Sequence, residues 1–227
     1  MYKRISLRLT AALIMSSALV APAAASVTVG TPSIGGNCFP FSCSYTGTYQ
    51  QVYGASAFSG VTTINTVDFF AAAGFGALTS NLSSYTFSFY LTNLPVDGLT
   101  TNPALNRGTL LSSFGTFTPG TSYTFVGNSF TYNPALGNLL LDIQTAGSPN
   151  DFNAWSYSST VGDQMSNMYR TSGTGPYATG SNGLVTRFST TAVPEPSTWA
   201  MLLVGFFAIG AIARRSRRAE HAFPQLV

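Results

Sequence analysis

The stretch YTFSFYLT, from Tyr85 to Thr92, limits what this chain can fold into more than any other feature. Tyr85, Phe87, Phe89 and Leu91 fall on one face, and Thr86, Ser88, Tyr90 and Thr92 on the other. Strict alternation is the signature of a strand with one buried face. Similar short runs recur at Ser44 to Tyr53, Gly60 to Phe69, Thr109 to Phe117, Ser122 to Val126, Ser129 to Tyr132, Leu139 to Ile143 and Leu184 to Ser189. Turn-forming stretches such as TPGTS and NPALGN separate them. Between Ser26 and Ala192 no segment has the apolar spacing of an amphipathic helix. A chain that can bury apolar side chains only through period-two segments must build sheets.

The run FTYNPALGNLLLDI, from Phe130 to Ile143, reads as a strand, a turn on Asn133, Pro134, Gly137 and Asn138, and a second strand apolar on both faces. With no repeat of fixed period, a solenoid is disfavoured. The expected fold is all-β: an antiparallel two-sheet sandwich of jelly-roll type over residues 26–190.

Charge lies at the ends. The formal net charge of the 227 residues is +3, but Lys3, Arg4 and Arg8 stand at the start and Arg214, Arg215, Arg217 and Arg218 near the end. Between Ser26 and Ala192 there are only Arg107, Arg170 and Arg187 against Asp68, Asp97, Asp142, Asp151 and Asp163, with no Lys, Glu or His. Such a segment has no basic patch to neutralise phosphates, so a nucleic-acid partner is excluded.

Residues 1–25 have the three parts of a secretory signal: a basic start, an apolar stretch from Leu9 to about Val20, and the small residues Ala23-Ala24-Ala25. Cleavage by signal peptidase is expected after Ala25. In an exported chain the two cysteines, Cys38 and Cys43 in CFPFSC, are expected to form a small-loop disulfide.

The other end, residues 191–227, holds VPEPSTWAMLLVGFFAIGAIARRSRR from Val193 to Arg218. Trp199 to Ala213 carries no charge, and as a helix it reaches about 22 Å at ~1.5 Å per residue. That is short for a hydrocarbon core of ~30 Å, so Trp199 must sit at one interface and the arginines snorkel at the other. The positive-inside rule leaves Arg214 to Arg218 in the cytoplasm and Pro194-Glu195-Pro196 on the outer face, where two prolines enforce extended backbone.

This ending resembles the PEP-CTERM sorting signal of Gram-negative bacteria in Pro194, Glu195, Pro196, Trp199, the apolar helix and Arg214, Arg215, Arg217 and Arg218. The resemblance implies that a membrane-embedded exosortase cuts near the triplet, after a transient inner-membrane anchor, and passes the protein to the cell surface or beyond. The protein would be that enzyme's substrate.

Catalytic chemistry finds little support. The only histidine, His221, lies beyond the arginines, so Ser-His-Asp and Cys-His mechanisms lack their base. No ligand set for zinc exists. The oxygen donors Asn150, Asp151 and Asn153, with Asp142 or Asp163, are a weak case for Ca2+ without a full loop spacing, and no cofactor is expected. Aromatic residues, including Tyr45, Tyr49, Tyr53, Trp155, Tyr157 and Tyr169, can stack on sugar rings if a sheet face exposes them. Alternation groups Trp155 and Tyr157 on one face, which is either core or a glycan-binding surface. The expectation is a non-catalytic surface or matrix protein, structural or carbohydrate-binding, linked to exopolysaccharide or biofilm. The alternative is a secreted polysaccharide hydrolase using paired aspartates.

Overall fold

Alternation at Tyr85 to Thr92 becomes a central strand in a computed structural model that describes residues 24–31, 36–72, 83–118, 124–147, 155–158, 162–170, 175–192, 202–210 and 214. The strands are β1 (Ala24–Val29), β2 (Gly36–Asn37), β3 (Gly47–Tyr53), β4 (Thr62–Phe69), β5 (Ser84–Thr92), β6 (Thr109–Phe117) and β7 (Thr124–Tyr132), followed by β8 (Asn138–Ala146), β9 (Trp155–Ser158), β10 (Met165–Arg170), β11 (Tyr177–Gly180), β12 (Gly183–Leu184) and β13 (Thr186–Ala192). One sheet has the order β1-β13-β4-β7 and another β11-β10-β3-β8-β5-β6; β12, β9 and β2 make a small third sheet. The ladders are antiparallel.

The four- and six-stranded sheets face each other across an aromatic core. Phe89 meets Phe130 at 4.7 Å between ring centroids, Phe87 meets Phe125 at 4.8 Å, and Tyr53 meets Phe188 at 4.9 Å. Each such pair joins one sheet to the other. Burying a ring of this size contributes about 1.5–3 kcal/mol, and the ring geometry adds about 1. The expected all-β, two-sheet antiparallel architecture is therefore what forms.

β8 is buried on both faces, as its apolar run predicts. Leu139, Leu141 and Ile143 enter the aromatic core, while Leu140 points the other way and packs with Val52, Leu99 and Met168. What covers this outer face is the segment after β5, which contains a four-residue helix, α1 (Pro103–Asn106), capped by Asn102 Oδ1 accepting from Ala104 N. Asn106, the last residue of α1, is wholly buried, donating from Nδ2 to Gln50 Oε1 and Thr100 O at 2.8 Å.

The strand boundaries correct several expectations. Thr124 to Val126 and Ser129 to Tyr132, read as parts of two strands, belong to one strand, β7, whose register against β4 slips between Ile64↔Phe130 and Thr66↔Val126; Ser122 and Tyr123 lie outside the described residues. Residues between those pairs bulge, which breaks the local alternation. At this point β7 leans on β6 of the other sheet: Asn128 Nδ2 donates to Ser113 O at 2.8 Å, and any Cβ at Gly127 would collide with the Phe114 carbonyl. Leu184 to Ser189 divides into β12 and the start of β13. The first strand begins at Ala24 and the last ends at Ala192.

Residues 202–210 are helical and exposed, about 14 Å of helix. Among the described residues no helix is long and apolar enough to cross a membrane. Residues 1–23, on which the secretory signal was read, lie outside the described residues.

Candidate functional site

The C-terminal segment leaves from the middle of a sheet. β13 lies between β1 and β4 and is paired on both sides almost to its last residue, Ala24 opposite Thr191 and Thr62 opposite Ala192. The triplet thus starts two residues after a fully laddered strand. Pro194, Glu195, Pro196, Trp199, Arg215, Arg217 and Arg218 lie outside the described residues; Arg214 is helical and exposed.

Cys38 and Cys43 are bonded to each other, with Cα atoms 5.7 Å apart. Their loop is a clasp rather than a reactive site. It carries Phe41, wholly buried, into ring contact with Phe69, Tyr85 and Phe125, and Tyr85 OH donates to Phe41 O at 3.1 Å.

The aromatic candidates separate sharply. Tyr45, Tyr49 and Tyr53 are fully buried and unavailable to a sugar. Burial pushes their phenols far above the ordinary value of 10.0. Tyr49 OH donates to Gln51 Oε1 at 2.7 Å, and Tyr53 OH shares a 2.8 Å hydrogen bond with Thr186 Oγ1. Tyr49 and Tyr53 are on β3, between β8 and β10 in the six-stranded sheet, and point into the core between the sheets. Tyr169 is half-buried, its ring stacked 5.9 Å from Phe39. Trp155 and Tyr157 are on β9, paired with Asn37 and Leu184; their side chains lie outside the described residues.

The aspartates do not converge. Asp68, on β4, accepts from Arg187 Nε at 2.8 Å. Asp142, on β8, accepts from Arg107 Nε at 2.9 Å, Gln50 Nε2 at 2.5 Å and Gln144 Nε2 at 2.7 Å. The two carboxylates belong to opposite sheets. Asp163 Oδ1 caps the start of β10 by accepting from Met165 N. Among the described residues no three His, Cys, Asp or Glu side chains gather as a metal site, and the calcium candidates Asn150, Asp151 and Asn153 lie outside them.

The outer face of the six-stranded sheet carries the most organised polar surface. Hydrogen bonds link Arg107 to Asp142, Asp142 to Gln144, Gln144 to Thr48 at 2.9 Å, and Thr48 N to Tyr177 OH at 3.3 Å, with the Arg170 guanidinium 4.8 Å over the Tyr177 ring. Desolvation pushes the Tyr177 phenol up, but hydrogen bonds from Thr48 and Arg170 outweigh it, leaving the group below 10.0.

Beside this row lies a cleft of about 170 Å³ lined by Asp97, Leu99, Ser166, Thr179, Gly180 and Ser181. Asp97 forms one wall at the third position of a turn closed by Gly98 N donating to Pro95 O at 2.9 Å. Its φ of 67° is the left-handed conformation such a turn demands, and Asp tolerates it better than most residues. Ser166 forms the floor from β10, accepting from Asp97 N at 3.0 Å. From sequence, Asp97 reads only as a turn residue; the PVDG turn signal is visible, but not the strand 69 residues later that it docks against.

The described residues form a disulfide-clasped β-sandwich, and in the sequence its last strand is followed by an apolar segment and an arginine cluster, the layout of a β protein carrying a C-terminal sorting segment. The particular signal is the PEP-CTERM protein-sorting motif, whose family model matches residues 192–218, starting at the last residue of β13 and leaving the rest of the β domain unmatched. The motif is that of an exosortase-sorted exported protein, in transit through a membrane towards the cell surface. No curated protein and no solved structure matches the chain.

Proposed function

We propose that the β domain is delivered to the cell surface or extracellular matrix, where it serves without catalysis as a structural or carbohydrate-binding component of an exopolysaccharide or biofilm. The observation that carries this reading is the continuity of β13 with the motif at residues 192–218: the domain is what the signal delivers. In this reading signal peptidase removes residues 1–25, the segment around Trp199 to Ala213 is a transient inner-membrane helix, and exosortase cuts near Pro194-Glu195-Pro196. The non-catalytic assignment draws support from Asp68 and Asp142, each held by an arginine and placed on separate sheets, where paired-carboxylate chemistry would need them a few ångströms apart.

The jelly-roll assignment draws support from strand order. Set aside β2 and β9 to β12, and the remaining eight strands occupy one sheet as first, eighth, third and sixth, and the other as second, seventh, fourth and fifth. That is the order produced by two Greek keys wound across a sandwich.

The deciding experiment has two parts. C-terminal sequencing of the secreted protein should end before Trp199; finding Arg218 or Val227 still attached would refute exosortase sorting. Incubating the mature protein with polysaccharides should leave their length unchanged, whereas shortening would establish the hydrolase alternative.

A further inference from the structure

The geometry points to a specific ligand for the cleft at Asp97: we propose that it binds a single neutral sugar ring of a polysaccharide chain. This rests on the carbohydrate-binding reading above and assigns to it a site and a sugar class.

The lining has the chemistry of sugar recognition. Asp97 supplies a carboxylate able to accept from two neighbouring ring hydroxyls, Thr179 and Ser181 supply exposed hydroxyls that donate or accept, and Leu99 supplies a carbon edge. Volume and charge narrow the ligand further. About 170 Å³ is well below the ~300–1,000 Å³ of a drug-sized pocket, so one ring fits and an oligosaccharide must extend beyond it. Among the described residues of the lining, Asp97 is the only charged one. A uronate, sulfated or phosphorylated sugar would bring its anion against that carboxylate, so a neutral ring is selected.

The site is formed before any ligand arrives. Ser166 is 1% exposed and Leu99 7% exposed, the latter packed with Val52, Leu140 and Met168. The turn is pinned by its own hydrogen bond and by Ser166, so little ordering remains for binding to accomplish. Behind the cleft, a Cβ on Gly180 would lie 2.6 Å from Asn182 Oδ1 and 3.0 Å from Asn167 Oδ1, so the two amides close that wall against the glycine backbone.

The test is affinity electrophoresis of the processed, secreted protein in gels containing neutral polysaccharides (a β-glucan, a galactomannan and a xylan) or the anionic polymer alginate. The wild type is expected to be retarded by at least one neutral polymer and not by alginate. Asp97→Asn retains a residue that accepts left-handed backbone but removes the charge, and it should weaken retardation at least tenfold. Thr179→Val, which keeps a β-branched strand residue, should weaken it several-fold; thermal melting checks that both variants remain folded. If both folded variants bind like the wild type while Trp155→Ala or Tyr157→Ala loses binding, the cleft is the wrong site although the carbohydrate-binding reading stands. Retardation by alginate alone overturns the neutral-sugar assignment. Absence of retardation in every gel overturns the carbohydrate-binding reading and this site with it.

Discussion

Ala24 on β1 stands directly opposite Thr191 on β13, so the chain enters β1 and leaves β13 at the same end of the same sheet. The expected signal-peptide cut after Ala25 would remove two of the six β1 pairs and leave Ser26 to Val29 in register.

The first prediction concerns that end. A chain of residues 26–192 should melt within a few degrees of the protein that begins at Ala24, because the lost pairs are terminal. Removing Ser26 to Val29 as well takes away Val29, which is 2% exposed, and should cost about 2 kcal/mol, or ~4–8 °C for a domain of this size. Equal melting of the two truncated forms would show that β1 contributes nothing to the fold.

Sorting should depend on Glu195. Glu195→Ala removes the acidic group of the linker and leaves the apolar run and arginines in place, so membrane insertion should persist while cleavage falls. Immunoblots of membrane and secreted fractions should show the full-length form accumulating in the inner membrane. Unchanged release would count against recognition of the triplet.

The disulfide and the residue it presents should differ in weight. A loop as short as Cys38 to Cys43 restrains few residues of the unfolded chain, so replacing both cysteines with Ser should cost at most about 2 kcal/mol. Phe41→Ala, by contrast, opens a cavity among Phe69, Tyr85 and Phe125 and should cost about 3–5 kcal/mol. Denaturant midpoints measure both, and a larger effect from the cysteines would reverse the assignment of the loop as a carrier for Phe41.

Arg107→Ala should destabilise more than its partial exposure suggests. The Asp142 side chain is only 2% exposed and loses its cation, and truncating one partner of a buried pair costs up to about 3–5 kcal/mol. Because Arg107 itself is 31% exposed, about 2–3 kcal/mol is expected. Adding Asp142→Asn to Arg107→Ala should recover part of that loss, and strict additivity in the double-mutant cycle would show the pair to be uncoupled.

Alkaline pH should unfold the domain. Tyr49 and Tyr53 are fully buried and their phenols lie far above 10.0, so their contribution is complete below pH 10 and is lost as pH rises towards the folded values. Above pH 10 each should remove about 1.4 kcal/mol of stability per pH unit. Tyr177, lowered by hydrogen bonds from Thr48 and Arg170, acts in the opposite sense, but its contribution is complete by pH 10 and does not offset the loss above it. Urea midpoints between pH 8 and 12 should fall steeply above 10; a flat profile would mean that these phenols ionise in the folded protein.

Local pattern carried the strands and the tail. The period of two in Tyr85 to Thr92 places Tyr85, Phe87 and Phe89 in the core whatever the partners are, and the doubled apolar run at Leu139 to Ile143 announces a strand covered on both faces. β10 escaped notice for the related reason that Met165 and Met168 serve opposite faces, so MSNMYR shows no alternation to read. The sorting motif is contiguous, and its recognition requires no fold. Only tertiary structure decided which tyrosines are accessible: Tyr49 and Tyr53 are buried on β3, which lies in the middle of a sheet, a fact set by pairing with residues about 90 to 120 positions away. The cleft depends in the same way on Asp97 meeting Ser166, residues far apart in sequence that come together only because β10 joins β3 beneath the segment after β5. Strand pairing is a non-local choice made by the whole core at once, and a local period carries no record of it.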